Sequence, residues 1–152
     1  MTTVTKIIEW DMGHRVPNHK SKCRNPHGHR YRLEATIGGP LINTEGSSDE
    51  GMVIDFSDIK KIMTEEIHDK LDHGFMYFED DWIMKEFFEE FGPHRDWSED
   101  FLSIPVQFIP TAEEIARWCY NQIARKLPDP LFIDSVKLFE TPNSWAVYDG
   151  TP

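Results

Sequence analysis

The chain has 152 residues, of which 39% are hydrophobic and 12% aromatic, as in a folded globular domain and not a disordered one. Its net charge of −11 argues against a general nucleic-acid-binding protein, which needs an exposed basic surface. No apolar run approaches the roughly 20 residues of a membrane span, no signal peptide is apparent, and the two distant cysteines argue against a disulfide framework. We therefore expect a single, reduced, cytoplasmic domain over 1–152 that binds neither nucleic acid nor membrane.

The first half of the chain predicts two strands and a long helix. Residues 4–12 carry β-branched and aromatic side chains at strand density, and residues 29–37 alternate apolar and polar side chains, as in a half-buried strand. Proline, asparagine and glycine mark 15–28 as the loop between these strands. A short strand over 52–54 is predicted to follow, and then an amphipathic helix over 57–71.

The second half begins with the less regular segment 75–109, which carries a run of acidic residues and predicts a short helix near 80–91 and an extra strand near 103–109. Thr111, with glutamates in the following turn, is a typical cap for a second long helix that ends at about Leu127. Two strands close the chain, at 132–141 and 145–148. This order contains no βαβ alternation and predicts an α+β domain, in which two long helices pack on one face of a four-stranded antiparallel sheet.

Basic residues are concentrated in one stretch of this acidic chain. Six of the sixteen lysines and arginines lie close together: Arg15, Lys20, Lys22, Arg24, Arg30 and Arg32. A small basic surface on an acidic protein suits a small anionic ligand better than a polyanion. Scattered charge on a solvated loop is the plainer alternative, and the composition is consistent with both.

Three histidines stand where two predicted strands begin or end. His27 and His29 are two residues apart, so on a strand their side chains point to the same face. His14 follows the first strand, which pairs with the second if the loop folds back. Three neutral imidazoles leave one position open on a tetrahedral zinc ion, as in catalytic sites, and suit zinc better than nickel or iron. Surface histidines are the alternative for the H-x-H pair. We expect solvent-facing side chains at three others, His19, His68 and His94.

The two cysteines have contrasting surroundings. Cys23 is flanked by Lys22 and Arg24 and precedes His27 closely, and neighbouring cations or a metal favour the reactive thiolate. A proton-abstracting or nucleophilic role and a role as a further zinc ligand both fit this position. Cys119 lies on the apolar face of a predicted helix, where an inert core thiol is expected.

Two acidic positions complete the candidate chemistry. Asp72 directly precedes His73 at the end of the first long helix, where a carboxylate can orient an imidazole and raise its basicity. A histidine that interacts with the helix dipole is the plainer alternative. Glu140, in the strand sequence L-F-E-T, either grips a polar group or faces the edge of the sheet.

Six short motifs are spread along nearly the whole chain: G-H-R near residue 14, K-C-R-N-P-H-G-H at 22–29, G-M-V-I-D-F at 51–56, L-D-H at 71–73, P-T-A-E at 110–113 and E-T at 140–141. In this order they resemble the 6-pyruvoyl-tetrahydropterin synthase / 6-carboxytetrahydropterin synthase family. Only 75–109 is poorly covered, as an insertion longer than the link in many members. The resemblance implies the tunnelling fold, in which subunits join their sheets into a trimeric barrel and two trimers stack as a homohexamer, with active sites between subunits.

The resemblance also implies roles for the residues that match the family's motifs. Zinc is held by His14, His27 and His29, catalysis is carried out by Cys23, Asp72 and His73, and the pterin is bound by Glu140, Thr111 and Glu113.

The spacing before H-G-H differs among family members. Three residues separate Cys23 from His27, which resembles the 6-carboxytetrahydropterin synthases of queuosine and 7-deazaguanine biosynthesis, whereas pyruvoyl-forming synthases usually have a longer spacing. The resemblance thus implies a lyase that converts 7,8-dihydroneopterin triphosphate to 6-carboxy-5,6,7,8-tetrahydropterin, acetaldehyde and triphosphate. 6-Pyruvoyl-tetrahydropterin synthase is the alternative within the family. A catalytically idle homologue that binds zinc or a pterin is the alternative of another class.

Overall fold

The computed structural model describes residues 1–91 and 102–152, which contain one six-stranded sheet. The strands are β1 (Thr2–His14), β2 (His27–Gly39), β3 (Phe75–Phe78), β4 (Ser103–Val106), β5 (Phe132–Thr141) and β6 (Ser144–Tyr148). They are ordered β4-β3-β1-β2-β5-β6 across the sheet. The helices are α1 (Phe56–Met63), α2 (Asp69–Leu71), α3 (Trp82–Phe91) and α4 (Ala112–Ala124).

β1 and β2 form a long antiparallel pair. Each strand has 13 residues, and they are in register from Thr2 opposite Gly39 to His14 opposite His27. β5 pairs antiparallel with β2, and β6 pairs antiparallel with β5. These four strands form the predicted antiparallel sheet, and the α+β class is confirmed. Because β1 and β2 are both longer than predicted, His14 and His27 lie within the strands.

Two short parallel strands extend the sheet beyond β1. β3 lies parallel to the end of β1, with Phe75 opposite Gly13, and β4 lies parallel to β3. Parallel neighbours need a crossover connection, and α3 lies in the connection between β3 and β4. The expected absence of βαβ alternation is therefore wrong for 75–109. The predicted helix and extra strand of this segment are α3 and β4, whereas β3, with 4 residues, is too short to show an alternating pattern.

The strand predicted over 52–54 is wrong. Two backbone hydrogen bonds of 2.8 Å close the loop here, from Ile42 N–H to the Met52 carbonyl and from Gly51 N–H to the Ile42 carbonyl. This closure is local, and the segment joins no strand of the sheet. Val53 is nevertheless buried, which explains the apolar side chain at this position of the loop.

A π-helical turn at Thr64–His68 joins α1 to α2. The buried residues of this helix are four apart: Ile59, Met63, Ile67 and Leu71. With 3.6 residues per α-helical turn, each such step rotates the side chain about 40° beyond a full turn. The wider π turn removes part of that rotation. All four apolar side chains therefore remain on the face that packs in the core.

The core fills the space between one face of the sheet and the helices α1 and α4. Its largest fully buried side chains include Trp10, Tyr31, Leu33 and Leu138 from the sheet and Ile59, Met63, Ile115 and Ile123 from the helices. β1 and β2 bury alternate residues, so the opposite face of this pair carries mainly polar side chains. In the part of the chain that the structure describes, no helix is long and apolar enough to cross a membrane.

We expect Ile115→Ala to lower the free energy of unfolding by about 2–5 kcal/mol, because it removes a fully buried side chain and leaves a cavity beneath α4. Urea denaturation followed by circular dichroism measures this change. Ile83→Ala is the matched control, because Ile83 is 40% exposed on α3; its truncation should cost less than about 1 kcal/mol. Equal losses in the two variants would contradict the placement of Ile115 in the core.

Candidate metal centre and active site

The register of β1 and β2 brings the three predicted metal ligands together. His14 lies directly opposite His27, and His29 lies opposite Met12. All three imidazoles are on the face of the sheet that carries the core, beyond the end of the packed side chains. Each offers one ring nitrogen, and these atoms lie within 4.8 Å of one another. His14 is buried, and His27 and His29 are half-buried.

Hydrogen bonds determine which nitrogen of two rings is free. His14 Nδ1 lies 2.7 Å from the Pro110 carbonyl, and His27 Nδ1 lies 2.7 Å from the Asn25 carbonyl. Because a carbonyl only accepts, each neutral ring carries its proton on Nδ1 and keeps a lone pair on Nε2. The two Nε2 atoms face each other at 3.1 Å. Two lone pairs at this distance repel unless a cation lies between them, so the donor set fits a metal ion.

The charge state of the rings also suits a metal. Burial lowers the pKa of His14 to about 4, against the hydrogen bond to Pro110, and the neighbouring His27 and His29 lower it further. Burial likewise lowers the pKa of His29, although Glu140 opposes the shift. His14 and His29 are therefore neutral at pH 7, as metal ligands must be.

Glu140 faces the histidine cluster and not the edge of the sheet. Its carboxylate oxygens lie 3.6 Å from His29 Nε2 and 3.9 Å from His14 Nε2, and its side chain is 22% exposed. A carboxylate in this position adds negative charge beside the three nitrogens and favours a cation among them. It is also open enough to accept hydrogen bonds from a ligand.

A cavity of about 320 Å³ opens beside this cluster. Five predicted site residues line it: His14, Cys23, Thr111, Glu113 and Glu140. Sequence reasoning missed further wall residues, namely His19, Ser144, Trp145 and Ala146. His19, expected to face solvent, is half-buried and lines this open cavity. His68 is partly exposed, and His94 lies outside the described residues.

Cys23 lies in a single 3₁₀ turn, Lys22–Arg24. The Val16 N–H donates to the Cys23 carbonyl at 2.9 Å and holds this turn against the end of β1. The Arg24 guanidinium donates to two carbonyls of its own loop. Cys119 is fully buried on α4, and burial raises the pKa of its thiol, which confirms the predicted inert core cysteine.

Asp72 and His73 follow α2, are hydrogen-bonded to each other, and are held against β1 by a hydrogen bond from Asp11. His73 Nδ1 donates to Asp72 Oδ2 at 2.8 Å, and the Asp11 N–H donates to Asp72 Oδ1 at 3.0 Å. Although burial raises the pKa of Asp72, these two hydrogen bonds lower it below its usual range. The His73 backbone has φ 62°, a left-handed conformation that costs a non-glycine residue about 1–3 kcal/mol and is enriched at functional sites.

Cys23 and His73 line different cavities of this chain. His73 lines a second cavity of about 410 Å³ together with His29, Asp11 and Arg30. The predicted catalytic residues thus form two groups, Cys23 near Glu140 and His73 with Asp72. The rings of His14 and His29, with centroids 5.2 Å apart, each border one of the two cavities.

The predicted basic surface is smaller than the sequence suggests. Three of its six cations are paired with carboxylates, as Arg15–Asp81 at 2.6 Å, Arg30–Asp11 at 3.0 Å and Arg32–Glu34 at 2.7 Å. Lys20 and Lys22 have no carboxylate partner within residues 1–91 and 102–152. They are therefore the cations best placed for an anionic ligand.

Sequence reasoning also missed the groups that orient the site. The carbonyls of Asn25 and Pro110 hold two imidazoles, and Asp11 holds Asp72 through its backbone. Any residue has a carbonyl, so no side-chain pattern marks these positions. The one available signal is the cap sequence P-T-A-E, which fixes where α4 begins and hence where the Pro110 carbonyl lies.

The fold and the histidine cluster agree with comparisons to known proteins. The family model described as 6-pyruvoyl tetrahydropterin synthase matches residues 3–151, and the chain belongs to this family. A Haemophilus influenzae protein named 6-carboxy-5,6,7,8-tetrahydropterin synthase is 36% identical over 148 residues, which cover 97% of this chain and 99% of that protein. A Dictyostelium discoideum protein named 6-pyruvoyl tetrahydrobiopterin synthase is 29% identical and covers 85% of this chain and 74% of its own length.

Solved structures show the same fold. The Caenorhabditis elegans 6-pyruvoyl tetrahydropterin synthase aligns with a TM-score of 0.68 at 22% identity and covers 99% of this chain and 96% of its own. An uncharacterized protein from Wolinella succinogenes aligns with a TM-score of 0.74 at 23% identity and covers 99% of this chain and 98% of its own. The tunnelling fold of the single subunit, predicted from the resemblance, is confirmed.

We expect the purified protein to hold a divalent metal ion and His27→Ala to lose most of it, because the variant lacks one of the three ring nitrogens. Inductively coupled plasma mass spectrometry measures the metal content per chain. His68→Ala is the matched control, since His68 is not part of the cluster, and it should keep its metal. Full metal content in His27→Ala would rule out the three-histidine site.

Proposed function

We propose that this chain is a zinc-dependent 6-carboxy-5,6,7,8-tetrahydropterin synthase, a cytoplasmic carbon–carbon lyase. It converts 7,8-dihydroneopterin triphosphate to 6-carboxytetrahydropterin, acetaldehyde and triphosphate, for the synthesis of queuosine and other 7-deazaguanines. The observation that carries the proposal is that His14, Cys23 and Glu140 line one and the same cavity. Relatives of that name, 36% identical over nearly the whole chain, support the same reaction.

Glu140 is suited to hold the pterin ring. A pterin presents an edge of N–H donors, and one carboxylate accepts two of them at once. Because Glu140 lies 3.6 Å from His29 and 3.9 Å from His14, a pterin bound to it has its side chain next to the metal centre. Thr111 and Glu113 line the same cavity. The Thr111 hydroxyl caps α4 by accepting from the Glu114 N–H, and its O–H can still donate to a ligand in the cavity.

Cys23 and His73 carry out the proton transfers. His14, His27 and His29 would hold zinc, which supplies Lewis acidity toward the hydroxyls of the substrate's side chain when bound. The Cys23 thiolate takes one proton from that side chain, and His73 transfers another at the opposite side. Asp72 binds the Nδ1–H of His73 at 2.8 Å, which leaves Nε2 as the nitrogen that exchanges a proton.

The active site lies between subunits of a homohexamer made of two stacked trimers. Two observations support this assembly. Cys23 and His73 line separate cavities of one chain, and the His73 side chain is 78% exposed and accessible to a neighbouring subunit. The edge strand β6 also exposes Trp145 and Val147, which are 51% and 61% exposed, and joining sheets between subunits removes such an edge.

The substrate's triphosphate is bound by Lys20 and Lys22. Lys22 belongs to the turn that carries Cys23, Lys20 precedes it by two residues, and neither is neutralised by a carboxylate among the described residues. Arg15, Arg30 and Arg32 are already paired. A triphosphate therefore meets lysine ammonium groups, which bind phosphate as point charges.

6-Pyruvoyl-tetrahydropterin synthase activity is the second candidate, favoured by the name of the Dictyostelium relative. The three-residue separation of Cys23 from His27 favours the carboxytetrahydropterin reaction instead.

Incubation of the purified protein with 7,8-dihydroneopterin triphosphate should release acetaldehyde together with 6-carboxytetrahydropterin. Alcohol dehydrogenase with NADH measures the acetaldehyde, and mass spectrometry identifies the pterin. Cys23→Ala should lower kcat by about 100-fold or more and keep its metal, because it removes the base and no metal ligand. Cys119→Ala is the matched control and should stay active. A pyruvoyl product without acetaldehyde would support the second candidate, and no product at all would support an idle homologue.

Mixing two inactive variants tests the site between subunits. Cys23→Ala and His73→Ala should each be inactive alone, because each lacks one proton-transfer group. After mild dissociation and reassembly together, about a quarter of wild-type kcat should return, since random pairing joins an intact Cys23 to an intact His73 at one interface in four. An activity that stays at the level of the separate variants would place both residues in one subunit's site.

A further inference from the structure

A buried ion pair ties the start of α3 to the end of β1. Arg15 Nε lies 2.6 Å from Asp81 Oδ2, and Arg15 Nη2 lies 3.1 Å from Asp81 Oδ1, so both carboxylate oxygens are paired. The Asp81 side chain is 1% exposed and that of Arg15 is 14% exposed. Among the described residues, Asp81 and His14 are the only buried polar or charged ones. A two-bond pair with so little solvent has a well-defined geometry.

Arg15 belongs to the part of the chain that holds the Cys23 turn. It directly follows the metal-ligand position His14, and its Nη1 also donates to the Arg24 carbonyl at 3.4 Å. The next residue, Val16, donates its N–H to the Cys23 carbonyl at 2.9 Å. Two consecutive residues after β1 therefore fix the turn that carries the thiol.

Asp81 is held from the other side by the start of α3. Its N–H donates to the Phe78 carbonyl at 2.8 Å, and its own carbonyl accepts from the Lys85 N–H at 2.9 Å. Its Oδ1 also lies 3.5 Å from the Met84 N–H. The carboxylate cannot follow a displaced Arg15 unless the first turn of α3 moves. The start of α3 thus fixes a side chain next to the histidine cluster.

We propose that Arg15 and Asp81 are positioning residues that set the place of the Cys23 thiol relative to the metal ligands. This inference rests on the proposed role of Cys23 as a base. A base must lie within hydrogen-bond reach of the proton that it takes, and a displacement of about 1 Å can cost about 100-fold in rate. Asp81 orients the guanidinium of Arg15 and neutralises its charge. Arg15 therefore binds the turn that carries Cys23 and does not bind the triphosphate.

Asp81→Asn keeps the size of the side chain but removes the charge that orients Arg15. We expect kcat to fall by about 10–100-fold, with KM changed less than kcat and the metal content unchanged. Asp80→Asn is the matched control, because Asp80 is the adjacent carboxylate and is exposed. It should keep wild-type kcat and KM.

Alkylation by iodoacetamide reports on the turn without any substrate. Peptide mass spectrometry follows the two cysteines separately. In Asp81→Asn, Cys23 should react about threefold faster or more, because the turn opens locally. Cys119 should stay unmodified, because it is fully buried on the inner face of α4. A loss of general stability would expose both thiols, so the two cysteines separate positioning from a structural role.

Three results would overturn the proposal: Cys23 alkylation that stays within about twofold of wild type or slows, joint alkylation of Cys119, or loss of the metal. If Asp81→Asn does not fold, Arg15→Lys replaces it, with the same measurements and the same expected results. Lysine keeps the charge but cannot form the two-bond pair. If the wild-type protein has no lyase activity, the proposed function fails, and the alkylation rates still decide whether the pair positions Cys23.

Discussion

The antiparallel register of β1 and β2 is the constraint on which the candidate site depends. Side chains alternate between the two faces of a strand, so a shift by one residue would turn a histidine to the opposite face. The register places His14 opposite His27 and puts His29 on the same face. It is held by the core, because the same shift would expose Trp10 and Tyr31, which are fully buried. Apolar packing therefore stabilises the geometry of a polar site.

The site also depends on what lies beneath it. Trp10 stacks on Tyr31 with ring centroids 5.6 Å apart, and the Tyr31 ring lies 6.0 Å from His14 and 5.6 Å from His29. These rings exclude water from one side of the cluster. The exclusion favours the uncharged imidazole, which is the form that binds a metal. The apolar core thus sets both the position and the charge state of the ligands.

The fold class and the H-x-H pair of the histidine cluster could be predicted from the sequence because they follow from local periodicity. An H-x-H pair in a strand shares a face whatever the rest of the chain does. Arg15–Asp81 could not be predicted, because its members are 66 residues apart and no pattern links them. Arg30–Asp11 is intermediate: the two residues are cross-strand neighbours, so the pair follows once the register is known. The π turn between α1 and α2 leaves no signal either, since its residues also suit an α-helix.

The hydrogen bond from His14 Nδ1 to the Pro110 carbonyl has a consequence for how such a protein diversifies. Pro110 immediately precedes the cap of α4. The orientation of the His14 imidazole therefore depends on the position of the whole helix. Side chains on the buried face of α4, such as Cys119 and Ile123, lie far along the helix from its cap. Substitutions there that change how α4 packs therefore move the Pro110 carbonyl and, through the hydrogen bond, the His14 ring. The geometry of the histidine cluster is thus open to gradual adjustment by substitutions in the core, while the three histidines themselves stay the same.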